Sequence, residues 1–238
     1  METLDSYRHK INKNLKKEFY KSFKEAIANI DIKKFGFIGI IGSFDKKESH
    51  DIDILIFPSK GAKLGETIIE IENLYSETEK NLRKINNKYY IAASPKKSIQ
   101  ELVYYLSSLQ EGSIGLIPVH SLFFINYRDF KKFNPKDFEK QIKKDLITFY
   151  GDFDIIKQLP NLPGKILEPY FFILEFDMAS RIKSFPKHLV RASAESLFEY
   201  LHKKYGIEVR DEPPYKIEDI HKDFRKLLYI LDKKTYEK

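Results

Sequence analysis

Residues 41–56 read I-G-S-F-D-K-K-E-S-H-D-I-D-I-L-I, a Gly-Ser pair followed by an Asp-x-Asp. Side chains two apart on a strand share a face, so Asp51 and Asp53 point one way while Ile52 and Ile54 point into a core. Two carboxylates held that close repel each other unless a cation lies between them. Mg²⁺, or Mn²⁺ in its place, suits such oxygen ligands, and it is usually held by one or two carboxylates together with substrate phosphates. Gly42 lets the backbone turn tightly against a phosphate, and Ser43 offers both an N–H and a hydroxyl to its oxygens. These are the parts of phosphoryl or nucleotidyl transfer: a metal to neutralise a triphosphate and a small loop to hold its tail. The competing reading is an acidic strand edge beside an ordinary turn. The conjunction favours chemistry, because a hairpin brings a turn that closes one strand against carboxylates that open the next.

The surrounding pattern supplies that hairpin. Phe35-Gly-Phe-Ile-Gly-Ile-Ile41 is short and β-branched and reads as a buried strand, and Asp51 to Phe57 reads as a second that starts acidic and finishes apolar. Before them, Ile11, Leu15, Phe19, Phe23 and Ile27 recur every four residues, one apolar stripe on a helix with Thr3, Asp5 and Ser6 as capping candidates. After them, Ile68, Ile71, Tyr75, Thr78, Leu82 and Ile85 mark a second long helix. Lys88 to Ser94 reads as a third strand, Pro95 opens a helix through Leu106, and Ile117 to Tyr127 returns as a fourth strand. Beyond Asp129 the spacing turns helical over 137–150, 165–184, 188–204 and 217–233, with breaks at Pro160, Pro163, Pro186, Gly206 and Pro213-Pro214. The expected fold class is α+β with an α/β-like mixed sheet, divided into a sheet domain over residues 1–128 and a mostly helical domain over 129–238.

At Gly42-Ser43 and Asp51-Ile52-Asp53 the sequence resembles the nucleotidyltransferase superfamily typified by DNA polymerase beta. The likeness covers roughly residues 10–127, and its specific part is those five residues. It implies that Asp51 and Asp53 are metal ligands and that Gly42 and Ser43 contact the triphosphate of an NTP such as ATP. Members of that family usually carry a third carboxylate on a later strand, and the matching run Val119-His-Ser-Leu-Phe-Phe-Ile-Asn126 has none. His120 stands where the third metal ligand belongs, against the other reading of a hydrogen-bonded core histidine; Glu101, Glu111 and Asp129 are the nearby acids that could substitute. In the helical half, Glu168, Glu175 and Asp177 beside Tyr170, Phe171, Phe172, Leu174 and Phe176 read as a solvated edge of a packed helix, with a general base among them as the alternative.

Composition narrows the partners. The chain has 238 residues, 42% hydrophobic and 14% aromatic, which suits a folded globular protein, and the absence of cysteine removes disulfides, thiolate zinc sites and cysteine nucleophiles. The net charge of +7 suits an anionic partner, but only seven of the 42 basic residues are Arg, the side chain that reads bases bidentately. No Gly-x-x-x-x-Gly-Lys loop, dinucleotide-binding glycine spacing, Gly-x-Ser-x-Gly elbow or His pair at i, i+4 occurs. The charged N-terminus and the brevity of the longest apolar run predict a cytoplasmic chain with no membrane partner. The expected activity is attack of an acceptor hydroxyl on the α-phosphate of an NTP with release of pyrophosphate, the acceptor being a small molecule, an RNA end or a protein. The rival is a degenerate member that binds nucleotide, RNA or protein without catalysis.

Overall fold

The apolar run Phe35 to Ile41 forms strand β1 (Phe35–Ile41), and the acidic-to-apolar run after it forms β2 (Ile52–Pro58). They pair antiparallel with Ile41 opposite Asp53 and Ile40 opposite Ile54. The structure, a computed structural model, describes residues 11, 13–42, 44, 51–94, 116–132, 138–160, 162, 169–170, 173, 187–208 and 217–237. Two further strands, β3 (Tyr90–Ser94) and β4 (Leu116–Phe123), run parallel to each other, and β4 runs parallel to β2. A fifth, β5 (Ile147–Gly151), lies antiparallel on the far side of β1, giving the order β3-β4-β2-β1-β5. The fold is α+β around one mixed five-stranded sheet.

Alternation along β2 splits its side chains between two cores. Ile52, Ile54 and Ile56 face the larger one, shared with α1 (Lys13–Ile27), α2 (Leu64–Ile85), and two later helices, α5 (Lys187–Tyr205) and α6 (Ile217–Tyr236). Leu55 and Phe57 face a smaller aromatic core with Phe37 of β1, Phe130 of α3 (Tyr127–Lys132) and Phe153 of a 3-10 turn (Phe153–Gln158). Phe57, Phe130 and Phe153 meet edge to face at centroid separations of 5.6–5.8 Å, the geometry that ring quadrupoles favour.

Several elements differ from the sequence expectation. Helical spacing over 137–150 yields α4 (Phe138–Asp145) and then strand β5, because Ile147-Thr-Phe-Tyr is β-branched and aromatic and β1 presents an unpaired edge to it. The division between residues 128 and 129 therefore falls between strands of one sheet. The fourth strand ends at Phe123, and Tyr127 opens α3. Ile85, counted in the apolar stripe of α2, is 49% exposed in the last turn. Thr3, Asp5, Ser6 and the helix after Pro95 lie outside the described residues.

Candidate functional site

Asp53 sits in the second position of β2, half-buried, and Asp51 immediately precedes the strand, also half-buried. Directly paired residues on neighbouring strands share a face. Ile41 opposite Asp53 belongs to the smaller core, so the row 51, 53, 55, 57 lies on that side of the sheet. Ile52 and Ile54 are fully or almost fully buried on the other. Asp53 thus lies at the start of β2 on the side of the sheet that carries the aromatic core, opposite Ile52 and Ile54, and Asp51 stands two residues before it.

Gly42 follows β1 directly and has φ of +79°, a left-handed conformation that a Cβ penalises by roughly 1–2 kcal/mol. A Cβ built there would stand 3.1 Å from Asp53 Oδ2. The turn and the carboxylate are therefore in contact distance, and the missing side chain is what leaves the acid its place. Ser43, the second half of the pair, lies outside the described residues.

On the other side of β2, the backbone register of the parallel strand β4 sets His120 opposite Asp53, and β3 sets Ser94 opposite His120. The sequence expectation put His120 beside the acids, and the sheet brings its strand position there. Next to it, Ser121 turns to the larger core, where its hydroxyl shares a 2.6 Å hydrogen bond with Tyr75 of α2 and locks β4 to that helix. Burial pushes the Tyr75 hydroxyl pKa far above its ordinary value, and the Ser121 hydrogen bond offsets this only in part. Glu101, Glu111, Glu168, Glu175 and Asp177 lie outside the described residues, as do Phe171, Phe172, Leu174 and Phe176. Asp129 stands in α3.

One contributor was not anticipated. Lys16 of α1 is only 3% exposed, and its ammonium donates to the Phe44 carbonyl at 3.0 Å while lying 5.8 Å from the centre of the Phe44 ring. A buried ammonium is costly without partners, so this contact pins the chain two residues after Gly42. Tyr20, one turn on, packs against Phe44 and against Phe149 of β5 at 6.4 and 4.9 Å. The signal was present: Lys16 falls in the row of Tyr20, Phe23 and Ile27, where helical spacing asks for an apolar residue.

The donor chemistry suits a hard divalent cation through Asp51 and Asp53, which offer carboxylate oxygens at the accessible start of one strand. Among the described residues no group of three or more His, Asp or Glu stands together as a metal site. No protein-family model matches the chain, and neither the curated proteins nor the solved structures yield a match. Among the described residues no helix is long and apolar enough to cross a membrane.

Proposed function

We propose that this protein is a metal-dependent nucleotidyltransferase that moves a nucleoside monophosphate from an NTP to an acceptor hydroxyl and releases pyrophosphate. The observation that carries the reading is the contact between the Gly42 turn and the Asp53 carboxylate at the start of β2. A site for a metal-bound triphosphate needs backbone close enough to phosphate and carboxylates close enough to the metal, and one hairpin provides both. Asp51 and Asp53 would hold Mg²⁺ or Mn²⁺, which when bound neutralises the triphosphate. The Gly42-Ser43 backbone receives the phosphate tail, and Lys16 keeps that segment in place by holding the Phe44 carbonyl. In-line attack of the acceptor on the α-phosphate then expels pyrophosphate. Small molecule, RNA end and protein side chain all remain acceptors of the right chemistry, and the cytoplasm supplies the NTP.

A second reading rests on a specific position. Opposite Asp53 the parallel strand carries His120 in place of a carboxylate, which favours a degenerate member that binds nucleotide without transferring it. Imidazole is a poor ligand for Mg²⁺. The two readings separate in one experiment: each α-labelled NTP is incubated with the protein, Mg²⁺ or Mn²⁺ and candidate acceptors, and pyrophosphate and transferred label are measured. Transfer that disappears in Asp53→Asn supports the enzyme. Metal-dependent NTP binding without transfer supports the degenerate module. Binding that is unchanged in both Asp51→Asn and Asp53→Asn overturns both readings.

A further inference from the structure

Helix α6 sorts its charges by depth. Its buried stripe of Ile220, Phe224, Leu227, Leu228 and Leu231 is flanked by two buried acids, Asp223 and Asp232. Its outer surface carries Lys222, Arg225, Lys226, Tyr229 and Lys233, all exposed. At 100° per residue these five fall within one stripe about 100° wide, and from Lys222 to Lys233 it extends roughly 16 Å along the helix. Tyr229 stands in the middle and is 67% exposed, and Tyr236 continues the line at 37%. Of the acids in this segment whose side chains are described, Asp223, Asp232 and Glu237, only Glu237, past the last turn, is exposed. Glu218 and Asp219 stand in the first turn of the helix.

A row of cations around an exposed aromatic ring is the arrangement that binds an unpaired polynucleotide, with phosphates on the cations and a base stacked on the ring. Lysine-dominated contacts of this kind are sequence-independent. An acidic peptide would use the cations and leave the ring idle. A membrane surface would need an apolar face to insert, and the apolar face of α6 is already spent on the core. We infer that the outer face of α6 is a docking surface for single-stranded nucleic acid. This surface is independent of the Asp51/Asp53 site: it needs neither metal nor NTP, so its test and the test of that reading fail separately.

The experiment is fluorescence anisotropy of labelled 12-nucleotide oligo(U) and oligo(dU) with the full chain in EDTA, over a range of salt concentrations. Wild type is expected to bind, with log Kd linear in log salt. Tyr229→Ala should weaken binding about tenfold and leave the salt slope unchanged, because it removes a stack and no charge. The triple variant Lys222→Gln/Arg225→Gln/Lys233→Gln should reduce the slope by about 2, at ~0.7 for each phosphate that is no longer neutralised. All four side chains are exposed, so melting temperatures should match wild type, and Lys203→Gln on the exposed face of α5 should bind like wild type. Equal affinity for the two oligonucleotides identifies the backbone and base as the ligand, and preference for oligo(U) adds the 2′-hydroxyl; either supports the proposal. No binding by wild type overturns it, as does unchanged binding in both variants. Displacement of the oligonucleotide by poly-Glu or by phosphatidylserine vesicles at matched charge, with Tyr229→Ala indistinguishable from wild type, also overturns it.

Discussion

Gly42 and Gly61 share a left-handed backbone, with φ of +79° and +87°, but differ in surroundings. A Cβ at Gly42 meets Asp53 Oδ2, whereas one at Gly61 has nothing within 4 Å. Alanine at either position should therefore cost the same backbone strain, about 1–2 kcal/mol. Only Gly42→Ala should also weaken Mg²⁺-dependent NTP binding, by at least tenfold in calorimetry, since it alone crowds the carboxylate. Equal affinities in the two variants would reduce the Gly42 turn to a structural feature. His120 is tested at the same scale. A carboxylate binds a hard cation better than imidazole does, so His120→Asp is expected to tighten metal binding with stability little changed. A drop in melting temperature without any gain in metal affinity would mark His120 as part of the packing.

At the scale of elements, α2 and α6 are joined by a polar contact inside the larger core. Asp232 of α6 accepts hydrogen bonds from the backbone N–H groups of Gly65 and Glu66 at 2.9 and 3.2 Å, and from the Tyr170 hydroxyl at 2.9 Å. It caps the first turn of α2 from another helix, satisfying donors that have no partner within their own helix. Gly65 is what permits the approach. A Cβ there would stand 2.6 Å from Asp232 Oδ2 and 2.8 Å from the Leu228 carbonyl, so Gly65→Ala should force the helices apart and cost about 1–3 kcal/mol in denaturant unfolding. Burial outweighs those hydrogen bonds and raises the Asp232 pKa above its ordinary 3.8. The folded state therefore binds the proton more tightly than the unfolded one. That contribution is fully present below pH 3.8 and is lost as pH rises through the folded value. Wild type should accordingly gain stability relative to Asp232→Asn as the pH is lowered from 7 toward 4. A constant difference across that range would show that folding does not raise the Asp232 pKa. Burial likewise raises the neighbouring Tyr236 to about 12.

For the whole molecule, ligand binding and folding are linked. A ligand at 100 times its Kd adds ~2.7 kcal/mol of stability, and a chain of this size shifts its melting temperature by about 2–4 °C for each kcal/mol. Saturating Mg²⁺ and the cognate NTP should thus raise the melting temperature by about 5–10 °C, with EDTA or Asp53→Asn removing the shift. The absence of any shift with all four NTPs would remove the nucleotide from the account. Much of the architecture was written in the sequence, because short-range patterns need only the chain's own periodicity. The four-residue repeat of α1, the β-branched run of β1 and the acidic start of β2 each fix which face is buried wherever they end up. They also made the Gly42 and Asp53 contact legible, since a hairpin joins residues close along the chain. Long-range partners were not legible, because burial against a remote element leaves no local period. Strand β5 exists only where β1 offers an edge, and Lys16 is recognisable as an anchor only once Phe44 lies over it. The place of His120 next to Asp53 came from the family resemblance and from no local period, its pairing being set by parallel register across 67 residues, and the cap that Asp232 places on α2 spans more than twice that. Sequence chose the faces; tertiary structure chose what each face meets, because only packing brings distant donors, acceptors and strand edges within reach.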